Sequence, residues 1–291
     1  MTTIHLARWW QSENASDVRC FLCPRHCLIS PGKTGFCHVR INTNGQLRSI
    51  AYGHPVTVNV DPIEKKPLAR FMPGTKTFSF GTFGCNLSCV FCQNDSLSRG
   101  EYQIRRLPQY VEPEKLVEMA LQNDCQSISY TYNEPTVFAE YVIDTAIKAT
   151  KAGLKNVLVS NGFITLEAAE DLYPHIDAAN IDMKGFSEAF YNKLCGATLN
   201  DVLESIKYFY SLGKHLELTN LVIPGENDAP EMLEAWLDWV ETNLDKNVPL
   251  HFSAYHPAYK MQTQRTPPET IIKIRDRAIE RGFKTVLNGN I

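Results

Sequence analysis

Seven of the nine cysteines fall into two groups, and grouped thiols are candidate metal or redox centres. One group is Cys85, Cys89 and Cys92, spaced C-x3-C-x2-C inside Gly84-Cys-Asn-Leu-Ser-Cys-Val-Phe91-Cys92. Three thiolates can hold three irons of a cubane cluster and leave the fourth iron open. An open coordination position is what a catalytic metal site needs and a structural one avoids. A structural zinc usually takes four ligands, one more than this segment offers, and three free core thiols are the plain alternative. The other group is Cys20, Cys23, Cys27 and Cys37, spaced C-x2-C-x3-C-x9-C. Four thiolates can close a tetrahedral site, and His26 could replace one of them. Zinc, a second iron–sulfur cluster and reduced structural cysteines all remain open there. Cys125 and Cys195 stand alone and read as plain buried thiols.

These side chains need elements to position them. Residues 1–75 carry the four-cysteine group and frequent Gly and Pro with little periodicity, so a loop-rich N-terminal region is expected there, followed by a core domain over 76–291. From Thr75 onward strands and helices alternate. Strand patterns cover 77–82, 127–132, 157–160, 179–184, 215–223, 249–255 and a closing 284–288. Helix patterns cover 113–124, 135–153, 165–173, 199–212 and 230–243, with Asp228 as a cap for the last of these. Thr266 and Pro267 open a further helix that runs to Gly282. Such alternation implies a parallel α/β sheet curled into a full or partial barrel. In that fold polar residues at strand C-terminal ends tend to be functional, which singles out Cys85, Glu134, Ser160-Asn161, Asp182-Lys184, Thr219-Asn220 and Tyr255-His256. His251 reads as a core residue.

The bulk properties bound the answer. The chain has 291 residues, 44% hydrophobic, with 29 basic and 32 acidic side chains and a net charge of −3. That is an ordinary globular balance. It argues against nucleic acid as a partner, although Lys65-Lys66 and Arg105-Arg106 are small basic spots, read as solvated faces or loop residues near the site. No run of ~18 apolar residues is present, so no membrane span is expected. The N-terminal residues lack an apolar signal segment, so a cytoplasmic location is expected.

The motif CNLSCVFC, with an aromatic residue at Phe91, resembles the signature of the radical S-adenosylmethionine (SAM) superfamily. DPIEKKPL (61–68), TYNEPTVFAEY (131–141), SNGF (160–163), NIDMKGF (180–186), LVIPGENDAPE (221–231) and HFSAYHP (251–257) extend the resemblance to the branch called AmmeMemoRadiSam system radical SAM enzymes. That branch is similar to the activating enzymes of glycyl radical enzymes such as pyruvate formate-lyase. The resemblance implies a partial (β/α)6 barrel, a [4Fe-4S] cluster on Cys85, Cys89 and Cys92, and reductive SAM cleavage to a 5′-deoxyadenosyl radical. It also implies a low-potential reductant such as flavodoxin or ferredoxin, and either a protein or a small-molecule substrate. By the same resemblance Phe91, Glu134, Asn161, Asp182, Lys184 and His256 would contact SAM. Tyr132-Asn133 stand where the activating enzymes carry two glycines, and Val159 lacks the side-chain oxygen of the family's cation site. An iron–sulfur electron carrier without radical catalysis is the alternative from a different class.

Overall fold

The computed structural model describes residues 4–14, 16–100 and 107–291; Arg105-Arg106 lie outside them. The N-terminal segment is built from short strands: β1 (His5–Leu6), β2 (Trp10–Ser12), β3 (Val18–Cys20), β4 (Leu28–Ile29), β5 (Arg40–Thr43) and β6 (Gln46–Ser49). They form two three-stranded antiparallel sheets, β1-β6-β5 and β2-β3-β4. The segment is loop-rich, and within it run short paired strands that the sequence pattern does not display. Strands of two to four residues are too short to display an alternation, and Gly and Pro between them mask what remains. Val18, Leu22, Ile29, Val39 and Leu47 bury into the same apolar cluster as the rest of the chain.

Then follow β7 (Thr57–Pro62), β8 (Lys76–Gly81), β9 (Ser127–Tyr130), β10 (Lys155–Ser160), β11 (Ala178–Asp182), β12 (His215–Val222), β13 (Leu250–Ala254) and β14 (Val286–Gly289). They hydrogen-bond in sequence order as one eight-stranded sheet. β7 is antiparallel to β8, and β8 to β14 run parallel. The helices between them are α1 (Asp95–Ser98), α2 (Pro113–Gln122), α3 (Ala139–Lys151), α4 (Leu166–Leu172), α5 (Glu188–Phe190), α6 (Leu199–Ser211), α7 (Pro230–Asn243) and α8 (Pro268–Glu280). Parallel strands flanked by helices are covered on their faces, which is why Ser127–Tyr130 is buried throughout. β7 and β14 do not pair with each other among the described residues, so the barrel is partial.

Two expected caps are replaced. Asp228 Oδ1 accepts from Gly225 N at 2.8 Å and closes the turn before α7, whose N-cap is Ala229. The Thr266 hydroxyl accepts from Tyr255 N at 2.9 Å and donates to Val222 O at 2.5 Å, and α8 starts at Pro268. Lys66 is not on a solvated face. It is 3% exposed and pairs with Asp61 at 2.7 Å.

The barrel floor is stitched shut by one carboxylate. Glu217 on β12 accepts from Ala69 N at 2.9 Å, Arg70 N at 2.8 Å, His215 Nε2 at 2.8 Å and His251 Nε2 at 2.6 Å. Asn180 Nδ2 donates to Pro67 O at 2.7 Å and holds the same loop. His251 therefore has a definite partner inside the floor.

Candidate functional site

The loop after β8 carries Cys85, Cys89 and Cys92 onto a cavity of about 280 Å³ at the C-terminal ends of the strands. Its start is clamped by Asn133, whose Oδ1 accepts from Thr82 N at 2.8 Å and whose Nδ2 donates to Gly84 O at 2.9 Å. Gly84 has φ +82°, and a Cβ there would strike the carbonyl of Cys37. The second half of the loop rests on a π-helical turn over Tyr191–Cys195: Ser88 N donates to Cys195 O at 2.8 Å and Val90 N to Leu194 O at 2.9 Å.

Tyr132 also lines the cavity and has φ +71°, the left-handed region that favours glycine. The backbone thus keeps a glycine-like path although the side chain is large. Contacts offset the strain: Tyr132 OH donates to Asp61 Oδ2 at 2.8 Å, and Lys66 Nζ sits 4.6 Å from its ring centre.

Glu134 is buried, and its carboxylate accepts from Thr136 N at 2.9 Å, Ser160 Oγ at 2.7 Å and Asn161 N at 2.8 Å. It therefore caps the 3-10 turn Pro135–Phe138 and ties it to the end of β10. A carboxylate has about four acceptor sites, so about one remains for a further donor. Burial raises its pKa above the ordinary carboxylate value against these donors. Asn161 Nδ2 donates to Asn86 Oδ1 at 3.0 Å and lies 3.8 Å from Cys85 Sγ, so it steadies the first cysteine.

Lys184 Nζ bonds Asp182 Oδ2 at 2.7 Å. Burial opposes its charge, but Asp182 and then Cys89 outweigh burial and hold its pKa well above the ordinary lysine value. Phe91 lines the cavity and packs against Phe190, with ring centres 6.1 Å apart. Ser160, Val159 and Thr219 also line the cavity.

Three strand-end residues lie elsewhere. Asn220 donates to Met183 O, and Tyr255 OH to Met261 O. His256 is exposed and off the cavity wall; its Nδ1 lies 3.4 Å from Nε2 of Gln93, which does line it. Cys195, isolated in sequence, lies beside Cys89. Only the π-helical turn brings it there, so no local sequence signal could have found it. Asn133 was visible merely as a replacement for glycine.

The donor set suits an iron–sulfur cluster. Three thiols from one loop face a common cavity, and among the described residues no three His, Cys, Asp or Glu side chains converge as ligands of a single ion. Burial pushes the Cys85 and Cys92 thiols up, and the neighbouring Cys195 thiol followed by burial does so for Cys89. Their ionisation is therefore disfavoured here, and a bound cluster would supply the positive charge that offsets that cost.

The Radical SAM superfamily model matches residues 80–240, and the chain belongs to that superfamily. An uncharacterized protein of Methanocaldococcus jannaschii is 42% identical over 287 residues, covering 98% of this chain and 85% of that one. In fold, the chain is similar to a radical SAM methyltransferase from Sphaerobacter thermophilus, with TM-score 0.59 and 11% identity, over 99% of this chain and 77% of the other. It is likewise similar to Streptococcus suis SuiB bound to S-adenosylmethionine, with TM-score 0.54 and 16% identity, over 71% and 48%. Membership implies an enzyme that uses SAM and an iron–sulfur cluster. No helix among the described residues is long and apolar enough to cross a membrane.

Proposed function

We propose that this chain cleaves SAM reductively and uses the resulting 5′-deoxyadenosyl radical to take a hydrogen atom from a substrate. The observation that carries the reading is the placement of Cys85, Cys89 and Cys92 on one cavity with Glu134, Asn161, Asp182 and Lys184. When bound, a reduced [4Fe-4S] cluster with one open iron supplies the electron that splits the sulfonium C–S bond. The three cysteines hold that cluster. The remaining acceptor site of Glu134 takes the SAM ammonium as a charge-assisted bond. Lys184, oriented by Asp182, meets the SAM carboxylate or a ribose hydroxyl. Asn161 contacts SAM beside Cys85, and Phe91 shields the cluster from water. His256 reaches the adenosyl end through Gln93. A low-potential protein such as flavodoxin or ferredoxin supplies the electron.

The substrate reading follows the similarity of the AmmeMemoRadiSam branch to glycyl radical activating enzymes: a protein partner that offers a backbone hydrogen. A cavity of about 280 Å³ sits at the small end of ligand sites, which run to about 1,000 Å³. That supports a substrate segment reaching in over SAM rather than a metabolite enclosed with it.

The test is anaerobic incubation with dithionite and SAM. Methionine and 5′-deoxyadenosine are expected in equal amounts. Their absence from protein that holds a cluster would leave the electron-carrier reading in place. Deuterium transfer into 5′-deoxyadenosine from labelled candidate proteins or metabolites then decides the substrate class.

A further inference from the structure

Outside that cavity, Cys20, Cys23, Cys27 and Cys37 line a second and smaller one, with Arg25, Arg40 and Asn86 also on its wall. The donor set is all sulfur: no His, Asp or Glu lines it. Zinc–sulfur bonds of about 2.3 Å would draw four sulfurs to within roughly 3.8 Å of one another. Among the described residues no three such ligands converge on a single ion. These four thiols share that trait with Cys85, Cys89 and Cys92: both sets surround a volume rather than a point. A cubane fills such a volume, with one thiolate on each iron.

Arg40 adds an independent observation. It is 1% exposed. Its Nη2 spans both Glu140 oxygens at 2.8 and 2.9 Å, and Nη1 donates to Arg8 O at 3.1 Å. Its Nε is buried with no partner among the described residues. A buried donor left unpaired is destabilising, and this one belongs to a side chain on the wall of the four-cysteine cavity. Sulfur atoms of a cluster would be its acceptors. Glu140 already balances part of the guanidinium charge, so the orphan N–H calls for a hydrogen-bond acceptor more than for another carboxylate.

We propose that Cys20, Cys23, Cys27 and Cys37 hold a second [4Fe-4S] cluster and that Arg40 Nε donates to one of its sulfurs. The two sites are close in the chain's packing. Consecutive residues, Cys85 and Asn86, line the two cavities, and Arg25 from the second site donates to the carbonyls of Asn86 and Gly196.

The test is the triple variant Cys85→Ala, Cys89→Ala, Cys92→Ala, reconstituted anaerobically with iron, sulfide and equimolar zinc. About four irons and four sulfides per chain are expected, with zinc far below stoichiometric. Dithionite should then give a paramagnetic signal that SAM does not alter. Stoichiometric zinc without iron overturns the proposal, and so does folded protein with neither metal. If the variant fails to fold, wild-type protein treated in the same way decides: about eight irons support a second cluster, and about four overturn it. Arg40→Lys keeps the charge and removes Nε, so the signal that ignores SAM should shift while the one that responds to SAM stays put. An unmoved spectrum overturns the role of Arg40. These readouts do not require SAM cleavage, so they stand apart from the function proposed above.

Discussion

Glu217→Gln is the most quantitative perturbation of this molecule. The carboxylate is fully buried and takes four N–H donors from three parts of the chain. Burial alone would raise its pKa. The histidines, followed by the amides of Ala69 and Arg70, reverse that and hold it at about 2, against an ordinary 4.5. A displacement of about 2.5 pH units at about 1.4 kcal/mol each is worth roughly 3 kcal/mol. A geometric argument gives a similar scale. Glutamine turns an NH₂ group toward about two of the four donors, at about 1–3 kcal/mol for each donor left unpaired. Urea unfolding of the metal-free chain at pH 7, followed by tryptophan fluorescence, should show the variant less stable by about 3 kcal/mol. The sign with pH is fixed: a depressed carboxyl pKa contributes stability above 4.5 that is lost as pH falls toward 2. The gap between wild type and variant should therefore close over that acid window. Equal stability at pH 7, or a gap that stays constant on acidification, would refute the assignment of the floor to this carboxylate.

Other outcomes follow from the same contacts. Cys89→Ala should lose the iron of the catalytic loop and all SAM cleavage, checked by iron analysis and 5′-deoxyadenosine formation; retained cleavage contradicts its role as a ligand. Glu134→Ala should leave iron content intact and weaken SAM binding measured by equilibrium dialysis, and an unchanged dissociation constant assigns the residue to capping alone. Glu140→Ala strands the buried Arg40 guanidinium and should cost about 3–5 kcal/mol in the same unfolding assay. Tyr132→Gly removes the contacts to Asp61 and Lys66 but relaxes the left-handed backbone. Its stability loss should be smaller than that of Tyr132→Ala, which loses the contacts and keeps the strain.

The parallel sheet was legible because its strands and helices are long enough to show their periods. The eight-residue strand His215–Val222 and the helix Ala139–Lys151 are examples, each bounded by turn residues. The clustered cysteines and most strand-end polar residues were legible for the same reason: they follow the element that positions them. Failures occurred where a partner is remote. Asp228 and Thr266 look like caps locally, yet the turn at Gly225 and the carbonyl of Val222 claim them. His251 found Glu217 across β12 and β13, and Cys195 found Cys89 through a helical irregularity that no local pattern announces. The N-terminal sheets were missed because register there is set by pairing between strands too brief to carry a signal.

The close approach of Gly84 to the Cys37 carbonyl limits how this protein can be shortened. Cutting before β8 would strip away the surface on which the cysteine loop closes. It would also remove β7 and bare the backbone edge of β8, an invitation to intermolecular strand pairing. A truncated fragment beginning there would lose the backing of its cysteine loop and its solubility together, so the first quarter of the polypeptide acts as a buttress behind that loop rather than a detachable ornament.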